Sequence, residues 1–345
     1  MVNPTYEEGK TVLVFVEPAE AVELRTFMPG FPTSLPFQRM ANGSHRLEVH
    51  LPHTARIEYR LAVRRNGSFE ESNDPLNPLT APNPYGTNSV AGGPGYLPNS
   101  LSVERAGIQR GRIVEIRVSS RHFGMRRHHQ VYLPPFYTNS AAYPLLVVHD
   151  GPDFLAYSAL STVLDNLIDD GTINPVLALL LDPRERLEEY AASPRHSAHL
   201  IEEVLPHLHR RFPVSEVPSE RVLLGASMGA VASLRVCWDY PASFQKLFLV
   251  SGSFRHRPTS DVDADVFAPI HRFLEDFARE PRLADARIYQ SVGRYEGLVE
   301  GNRKAAVQFR AAGATLRYEE TWDGHHWGSW SDRLPDGLTY LLGRR

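Results

Sequence analysis

The sequence predicts an α/β protein in which a small antiparallel β-sandwich precedes a domain with a mostly parallel sheet. Between residues 11 and 65, short runs such as TVLVFVE and ARIEYRLAVRR alternate apolar with polar residues and are separated by Pro, Gly and Asn. A period of two is typical of strands with one buried face. From residue 143 onward, continuous apolar runs alternate with amphipathic stretches. This second pattern is typical of parallel strands connected by helices.

The predicted boundary between the two domains lies near residue 100. Residues 66–100 concentrate Pro, Gly and Asn in NDPLNPLTAPNPYG and AGGPGYLPN. That composition predicts a linker rather than a central strand. We therefore assign residues 1–100 to the β-sandwich with its linker, and residues 101–345 to the α/β domain. Two strand-like runs, at 111–120 and 128–137, begin the second domain.

The composition limits the class of protein. Of the 345 residues, 42% are hydrophobic and 22% are charged, which is ordinary for a globular chain and excludes a disordered or collagen-like one. A net charge of -3 gives no attraction for a polyanion, so we expect no nucleic acid partner. No apolar run approaches the roughly 20 residues of a membrane span.

The residue usage also predicts the source and the compartment. Only three of the 37 basic residues are Lys, which indicates a GC-rich, bacterial coding genome. The single cysteine, Cys237, excludes an internal disulfide. The opening residues lack the positive region of a secretion signal. These features predict a cytoplasmic protein.

The strongest local signal is Gly-Ala-Ser-Met-Gly at residues 225–229, a G-x-S-x-G pentapeptide. An apolar strand precedes it and a helical stretch follows it, as in the nucleophile elbow of an α/β-hydrolase. The two glycines allow a strained turn that exposes the hydroxyl of Ser227. Ser227 is therefore the candidate nucleophile. The alternative is a glycine-rich structural turn with an inert serine.

A serine nucleophile needs a histidine base that a carboxylate holds in the correct tautomer. The tandem histidines His325 and His326 lie in the loop after the run LRYEE, near the C-terminus. We favour His325, which directly follows Gly324, and His326 is the second choice. Both histidines can alternatively be packing or solvated residues beside Trp327 and Trp330.

The acid is expected in the loop after the preceding strand, ARIYQSVG. Glu296 is the candidate, because acidic residues at the carboxyl ends of parallel strands converge on one crevice. Asp323 and Glu300 are the competitors. Asp323 lies only two residues before His325, which is too close in sequence to orient the ring easily.

The tetrahedral intermediate requires backbone N–H donors. The residue after the nucleophile, Met228, supplies the first, and a loop after an earlier strand supplies the second. In the run HDGPD, Pro152 has no N–H, so Gly151 is the candidate for the second donor.

These motifs resemble the esterase D-like α/β-hydrolases and, among them, the enterochelin (ferric siderophore) esterase-like proteins. The resemblance spans most of residues 111–342 and is carried by VYLPPFY, YPLLVVHDGPDF, LLGASMG, VSGSF, GRYEGL and DGHHW. It implies an α/β-hydrolase fold with the nucleophile at Ser227, the base at His325 and the acid at Glu296. Many relatives have Asp at the acid position, which is one methylene shorter than Glu.

The resemblance also implies residues that bind substrate. Arg186, Glu189 and Tyr190 match a family pattern beside the substrate pocket, and the alternative is a solvated, salt-bridged turn. Trp327, directly after the two histidines, is a further candidate. Residues 254–270 interrupt the strand–helix rhythm and are expected to form part of a lid, a pocket wall or a surface loop.

The N-terminal domain, with its NDPLNP turn at 73–78, resembles immunoglobulin-like modules fused to such hydrolases, including some akin to glycogen-binding modules. It contains no Trp for a sugar platform, so we favour a structural or pocket-shaping role over glycan binding.

The leading hypothesis is a serine esterase whose partner is a small-molecule ester, with no cofactor. Its histidine pairs lack the spacing of a metal motif, so no metal is expected. The resemblance implies siderophore lactones or acyl-carbohydrate esters as substrates. The alternatives are an acyltransferase that uses the same residues and a catalytically silent hydrolase fold that acts as a binding module. The sequence does not decide the oligomeric state.

Overall fold

The computed structural model describes residues 2–255, 267–283 and 285–344. Most of the predicted lid or loop at 254–270, namely residues 256–266, lies outside the described residues. The chain divides into two compact units. The first comprises Met1–Ser100, Gly293–Gly297 and Glu320–Asp332, and the second comprises Leu101–Val292, Leu298–Glu319 and Arg333–Arg345.

Two antiparallel sheets form the first unit. Its strands are β1 (Thr5–Glu7), β2 (Lys10–Phe15), β3 (Ala21–Arg25), β4 (Ser34–Pro36), β5 (Gln38–Arg39), β6 (His45–Val49), β7 (Arg56–Arg65), β8 (Ser68–Ser72), β9 (Thr80–Asn83) and β10 (Gly86–Gly92). The strand orders are β1-β2-β6-β5 and β4-β3-β7-β10-β9, with β8 beside β7. Alternate residues of both sheets, among them Leu13, Leu47, Leu24 and Leu61, share one core. The predicted antiparallel β-sandwich is confirmed.

The predicted linker at residues 66–100 is wrong over most of its length, because β8, β9 and β10 lie within it. Asn66 and Gly67 both have positive φ and form the tight hairpin turn that joins β7 to β8. Strand β10 pairs with β7 on one side and β9 on the other. The Pro and Gly residues therefore mark turns and an edge strand within the sandwich.

One eight-stranded sheet organises the second unit. Its strands are β11 (Arg112–Ser120), β12 (Met125–Leu133), β13 (Leu145–Val148), β14 (Leu177–Leu180), β15 (Arg221–Ala226), β16 (Lys246–Val250), β17 (Arg287–Gly293) and β18 (Thr315–Thr321). The order is β11-β12-β14-β13-β15-β16-β17-β18. Strands β11 and β12 pair antiparallel, whereas β14, β13, β15, β16 and β17 are parallel neighbours. The mostly parallel sheet is as predicted.

Helices connect these strands. They are α1 (Gly151–Ser158), α2 (Leu160–Asp169), α3 (Arg186–Tyr190), α4 (Pro194–Ala198), α5 (Leu205–His209), α6 (Met228–Asp239), α7 (Ala268–Arg279), α8 (Val299–Ala311) and α9 (Trp327–Leu342). Strands β13, β14 and β15 are buried at every residue, which explains their continuous apolar runs. Within the described ranges, no helix has the length and apolar character needed to cross a bilayer.

Candidate active site

Ser227 lies at the sharp turn between β15 and α6. Its backbone has φ 57° and ψ −120°, a strained conformation for a residue with a side chain. The Ser227 N–H donates to the carbonyl of Val250 on β16 at 2.9 Å, and the Ser227 carbonyl accepts from the Ser253 N–H at 3.0 Å. These bonds fix the turn to the neighbouring strand and to the segment after it, as a nucleophile elbow requires.

The hydroxyl of Ser227 has a partner that the sequence analysis missed. Its Oγ lies 3.1 Å from the Oγ of Ser253, which is buried. Ser253 belongs to the run VSGSF after β16. The resemblance to esterases included this run, but it did not single out Ser253. Within the second unit, Ser253 thus holds the side chain of the candidate nucleophile.

The two glycines of the pentapeptide have unequal steric roles. A Cβ on Gly225 would lie 2.1 Å from the carbonyl oxygen of Gly229, inside the backbone of the following helix. A Cβ on Gly229 would lie 3.1 Å from the Cβ of His149, which requires a shift of only a few tenths of an ångström. The close approach of strand and helix therefore depends mainly on Gly225.

We expect Gly225→Ala to lower the free energy of unfolding by about 3 kcal/mol, because the new methyl must displace backbone. Gly229→Ala is the matched control within the same motif. It should change stability by less than about 1 kcal/mol, because alanine is the better helix former and offsets the tight contact. Urea denaturation of both variants measures this difference. Equal losses would contradict the steric assignment.

Glu296 and His325 lie together in the first unit. The Nδ1 of His325 is 2.7 Å from Oε2 of Glu296, and Oε1 of Glu296 accepts a hydrogen bond from the Gly293 N–H at 2.9 Å. The Glu296 side chain is 1% exposed and that of His325 is 35% exposed. The buried carboxylate therefore holds Nδ1–H, which leaves Nε2 as the acceptor nitrogen.

The competing acids have other partners. The Oδ1 of Asp323 accepts from Thr321 Oγ1 at 2.9 Å, and the Asp323 carbonyl accepts from the Tyr295 N–H at 3.0 Å. Glu300 pairs with Arg303 at 2.6 Å on the surface of α8. Of the three candidate acids, Glu296 is the one whose carboxylate bonds to the ring of His325 at 2.7 Å.

His326, the second choice for the base, occupies a different environment. Its Nδ1 is 3.7 Å from Oε2 of Glu58 on β7, which is too long for a hydrogen bond. Burial lowers the pKa of His326, an effect that Glu58 partly opposes. The ring is therefore neutral at pH 7 and lacks the short carboxylate contact that His325 has.

One donor predicted for the oxyanion hole requires correction. The N–H of Gly151 donates to the carbonyl of Leu181 at 2.9 Å, so it is already engaged. The cause is a close approach, since a Cβ on Gly151 would lie 2.4 Å from the Cα of Leu180. Met228, the other candidate, is the first residue of α6, where backbone N–H groups have no intrahelical acceptor.

Of the predicted substrate-binding residues, two are part of the fold. Glu189 is buried and accepts from Arg127 Nη2 at 2.8 Å, and Tyr190 is fully buried with its hydroxyl accepting from the Asp150 N–H at 3.1 Å. Their engaged polar atoms do not support direct contact with substrate. The alternative of a solvated, salt-bridged turn is also wrong for Glu189 and Tyr190, because both side chains are buried.

Arg186 and Trp327 retain accessible surface. Arg186 forms two 2.8 Å bonds to the carboxylate of Asp150, and 39% of its side chain is exposed. Trp327 is half-buried and packs edge-on against Trp330, with ring centroids 4.7 Å apart. Substrate binding by Arg186 and Trp327 therefore stays a prediction.

The connection between β3 and β4 contacts both loops that carry the histidine and the acid. The Gly30 N–H donates to the Tyr295 carbonyl at 3.0 Å, and a Cβ on Gly30 would lie 2.8 Å from the Tyr295 Cα. The buried side chain of Met28 lies against Gly324. No local sequence pattern indicates these contacts, because the segments lie more than 250 residues apart. Across the described ranges, no group of three or more His, Cys, Asp or Glu side chains is arranged to hold a metal ion.

Comparisons with known proteins agree with this architecture. The ferric enterobactin esterase of Salmonella typhimurium superposes with a TM-score of 0.80 at 18% identity, covering 98% of this chain and 95% of that one. A ferulic acid esterase of Anaeromyces mucronatus gives a TM-score of 0.59 at 16% identity, covering 72% and 96%. The iron(III) enterobactin esterase of Dickeya dadantii is 25% identical over 219 residues, which are 58% of this chain and 48% of that protein.

These structural similarities confirm the fold expected from the resemblance to enterochelin esterase-like proteins. A family model with the description "Putative esterase" matches residues 120–341, which is more than half of the chain. The match includes the pentapeptide around Ser227 and the loops of Glu296 and His325. The chain therefore belongs to this esterase family.

Proposed function

We propose that this protein is a serine esterase that cleaves carboxylic esters through a covalent acyl-enzyme. Ser227 is the nucleophile, His325 is the general base and then the general acid, and Glu296 orients His325. The observation that carries the proposal is the 2.7 Å hydrogen bond between His325 and the buried Glu296. This bond selects the tautomer whose free Nε2 accepts a proton.

The reaction proceeds in two transfers of the acyl group. Ser227 Oγ attacks the ester carbonyl carbon as its proton moves to Nε2 of His325, and the carbonyl oxygen becomes an oxyanion. Collapse of this intermediate breaks the bond to the alkoxy group, which leaves with the proton from His325. Water then attacks the acyl-enzyme by the same route, which releases the acid and restores Ser227.

The oxyanion accepts hydrogen bonds from two backbone N–H groups in this mechanism. The Met228 N–H is the first. The second is the N–H of Asp153, because Gly151 already donates to Leu181 and Pro152 has no N–H. Asp153 lies in the first turn of α1, where the amides precede the intrahelical ladder.

The substrate class we favour is the ester of an iron siderophore. Similarity to the Salmonella ferric enterobactin esterase extends over 98% of this chain, and the Dickeya relative carries the same activity in its name. Feruloyl or acetyl esters of carbohydrates are the second candidate, supported by similarity to a ferulic acid esterase over 72% of the chain. An acyltransferase would use the same residues and differ only in the acceptor.

A covalent label and an ester panel test the proposal together. A fluorophosphonate should modify the purified protein once, and peptide mass mapping should place the label on Ser227. Iron(III) enterobactin, methyl ferulate and p-nitrophenyl esters from acetate to octanoate then rank the substrate classes by kcat/KM. Faster cleavage of enterobactin supports the siderophore class, and faster cleavage of methyl ferulate supports the second candidate.

Two results would contradict this function. Absence of both labelling and hydrolysis supports the silent binding module. If an added alcohol receives the acyl group in preference to water, the protein is an acyltransferase. Product analysis by mass spectrometry separates these outcomes.

A further inference from the structure

Strand β7 carries a buried pair of charges on the face where a sandwich normally meets water. Ile57 and Tyr59 point into the core of the two sheets, so Arg56 and Glu58 lie on the opposite face. Residues on that outer face are ordinarily polar and solvated. Arg56 is only 4% exposed and Glu58 is only 2% exposed. Some other segment of the first unit must therefore cover them.

The covering segment is the one that carries His325. The backbone N–H of Arg56 donates to the Trp322 carbonyl at 2.8 Å, and Nη1 of its guanidinium donates to Ser329 Oγ at 3.3 Å. Between these points the chain passes directly over the guanidinium, since a Cβ on Gly328 would lie 2.0 Å from Arg56 Nη2. Arg56 Nε is also 3.8 Å from Asp332 Oδ2. Arg56 thus contacts residues on both sides of His325, through its backbone at Trp322 and through its guanidinium at Gly328, Ser329 and Asp332.

Glu58 completes the arrangement. Its Oε1 accepts from Arg56 Nη2 at 2.9 Å, and its Oε2 accepts from Asn88 Nδ2 at 2.9 Å and faces His326 Nδ1 at 3.7 Å. Burial raises the pKa of Glu58, but the charge of Arg56 and the hydrogen bonds from Asn88 and Arg56 oppose that effect, and the pKa lies below its ordinary value. The carboxylate therefore remains charged and keeps Arg56 in place at neutral pH.

We propose that Arg56 and Glu58 are positioning residues for His325, which they hold through the segment from Trp322 to Asp332. The inference rests on the proposed function, in which His325 is the base. Neither residue touches His325 or the reacting atoms. A base must lie within about 0.5 Å of its productive position, and Glu296 fixes only the rotation of the ring. The backbone that carries the ring is held by Met28 against Gly324 and by the Tyr295 N–H at the Asp323 carbonyl, and β7 adds the contacts of Arg56 and Glu58.

A variant that folds without the ion pair separates a positioning role from a purely structural one, because a purely structural role predicts unchanged activity once the variant is folded. A buried ion pair is often replaceable by apolar residues with no loss of stability, whereas removing one partner leaves an unpaired buried charge. The double variant Arg56→Met/Glu58→Met removes both charges together. It should therefore fold, and it should also release the part of the segment after His325, while the backbone bond from residue 56 to Trp322 remains.

The experiment compares the full-length double variant with the control Arg60→Met. Arg60 lies on the same strand and face, but among the residues that the structure describes it donates to the carbonyls of Thr87 and Glu71 and not to the segment 322–332. We expect kcat/KM for p-nitrophenyl acetate to fall about 100-fold in the double variant, the cost of a displacement of about 1 Å. The control should stay within about twofold. The low-field proton resonance of His325 Nδ1–H in the NMR spectrum should shift or disappear in the double variant alone.

Two further variants keep the outcomes distinct. His325→Ala tests the base itself, and wild-type activity in that variant would overturn the proposed function. If His325→Ala is inactive but the folded double variant retains wild-type kcat/KM and an unchanged resonance, only the positioning role is overturned. Glu58→Gln preserves shape and an amide oxygen that can accept from Arg56 or Asn88, and Asp332 still lies 3.8 Å from Arg56 Nε, so it replaces the double variant if that one does not fold. A change in kcat/KM below about twofold, against the roughly 100-fold cost of a displaced base, together with an unchanged resonance in Glu58→Gln would then overturn the positioning role.

Discussion

Replacing Ser227 by alanine is expected to lower kcat for p-nitrophenyl acetate by about 10⁴-fold to 10⁶-fold, because no acyl-enzyme can form without its hydroxyl. The variant should keep the fold, since serine and alanine are strained to a similar degree at φ 57°. Steady-state hydrolysis measured beside thermal unfolding checks both statements. A residual rate above that of water is compatible with the proposal, because the oxyanion donors remain.

Ser253→Ala is the matched control for this prediction. Its hydroxyl is 3.1 Å from that of Ser227, so the variant removes one hydrogen bond from the nucleophile and leaves the nucleophile in place. We expect a loss of about tenfold or less, which corresponds to one ordinary hydrogen bond. A larger loss in Ser253→Ala than in Ser227→Ala would instead identify Ser253 as the residue that is acylated.

The elbow around Ser227 was predictable because its determinants are local. An apolar strand, a turn that needs Gly225 and a following helix occur within 20 residues, and each follows from sterics and periodicity alone. The alternating apolar pattern likewise predicted the sandwich, and the continuous runs predicted the parallel sheet. In each case neighbouring residues carry the information.

The errors concern contacts between residues far apart in the sequence. Arg56 and Glu58 fit the alternation of a solvated face, but both are buried, and residues of the segment 322–332 contact them. The N–H of Gly151 is engaged by Leu181, 30 residues later. No local pattern records either contact.

The strands at 68–92 were missed for a different reason. Asn66-Gly67 is the strongest short signal for a hairpin, but the many Pro and Gly residues after it concealed the signal. The NDPLNP turn is not a flexible spacer, since Asp74 and Asn77 are buried and bonded to Tyr59. The linker was predicted from the overall Pro, Gly and Asn content of the segment, whereas its structure depends on individual side-chain hydrogen bonds.

The two adjacent histidines provide the sharpest test of the proposed mechanism. His325→Ala is expected to lower kcat/KM for p-nitrophenyl acetate by about 10⁴-fold, because removal of the base leaves only binding and the oxyanion donors. His326→Ala should cost about tenfold, since His326 contacts the Glu58 side of the segment and is neutral because burial lowers its pKa. Both variants should be compared at equal folded concentration. The reverse order of losses would move the base to His326.

Added imidazole separates loss of the base from loss of structure. The side chain of His325 is 35% exposed, so the space that it leaves in His325→Ala is open to solvent. Free imidazole can enter that space, donate its N–H to Glu296 as His325 Nδ1 does, and restore part of the rate. His326 is largely buried, and its loss is expected to displace His325. A soluble base cannot correct that displacement. Rescue of His325→Ala without rescue of His326→Ala is therefore the result expected when one histidine transfers the proton and the other only helps to place it.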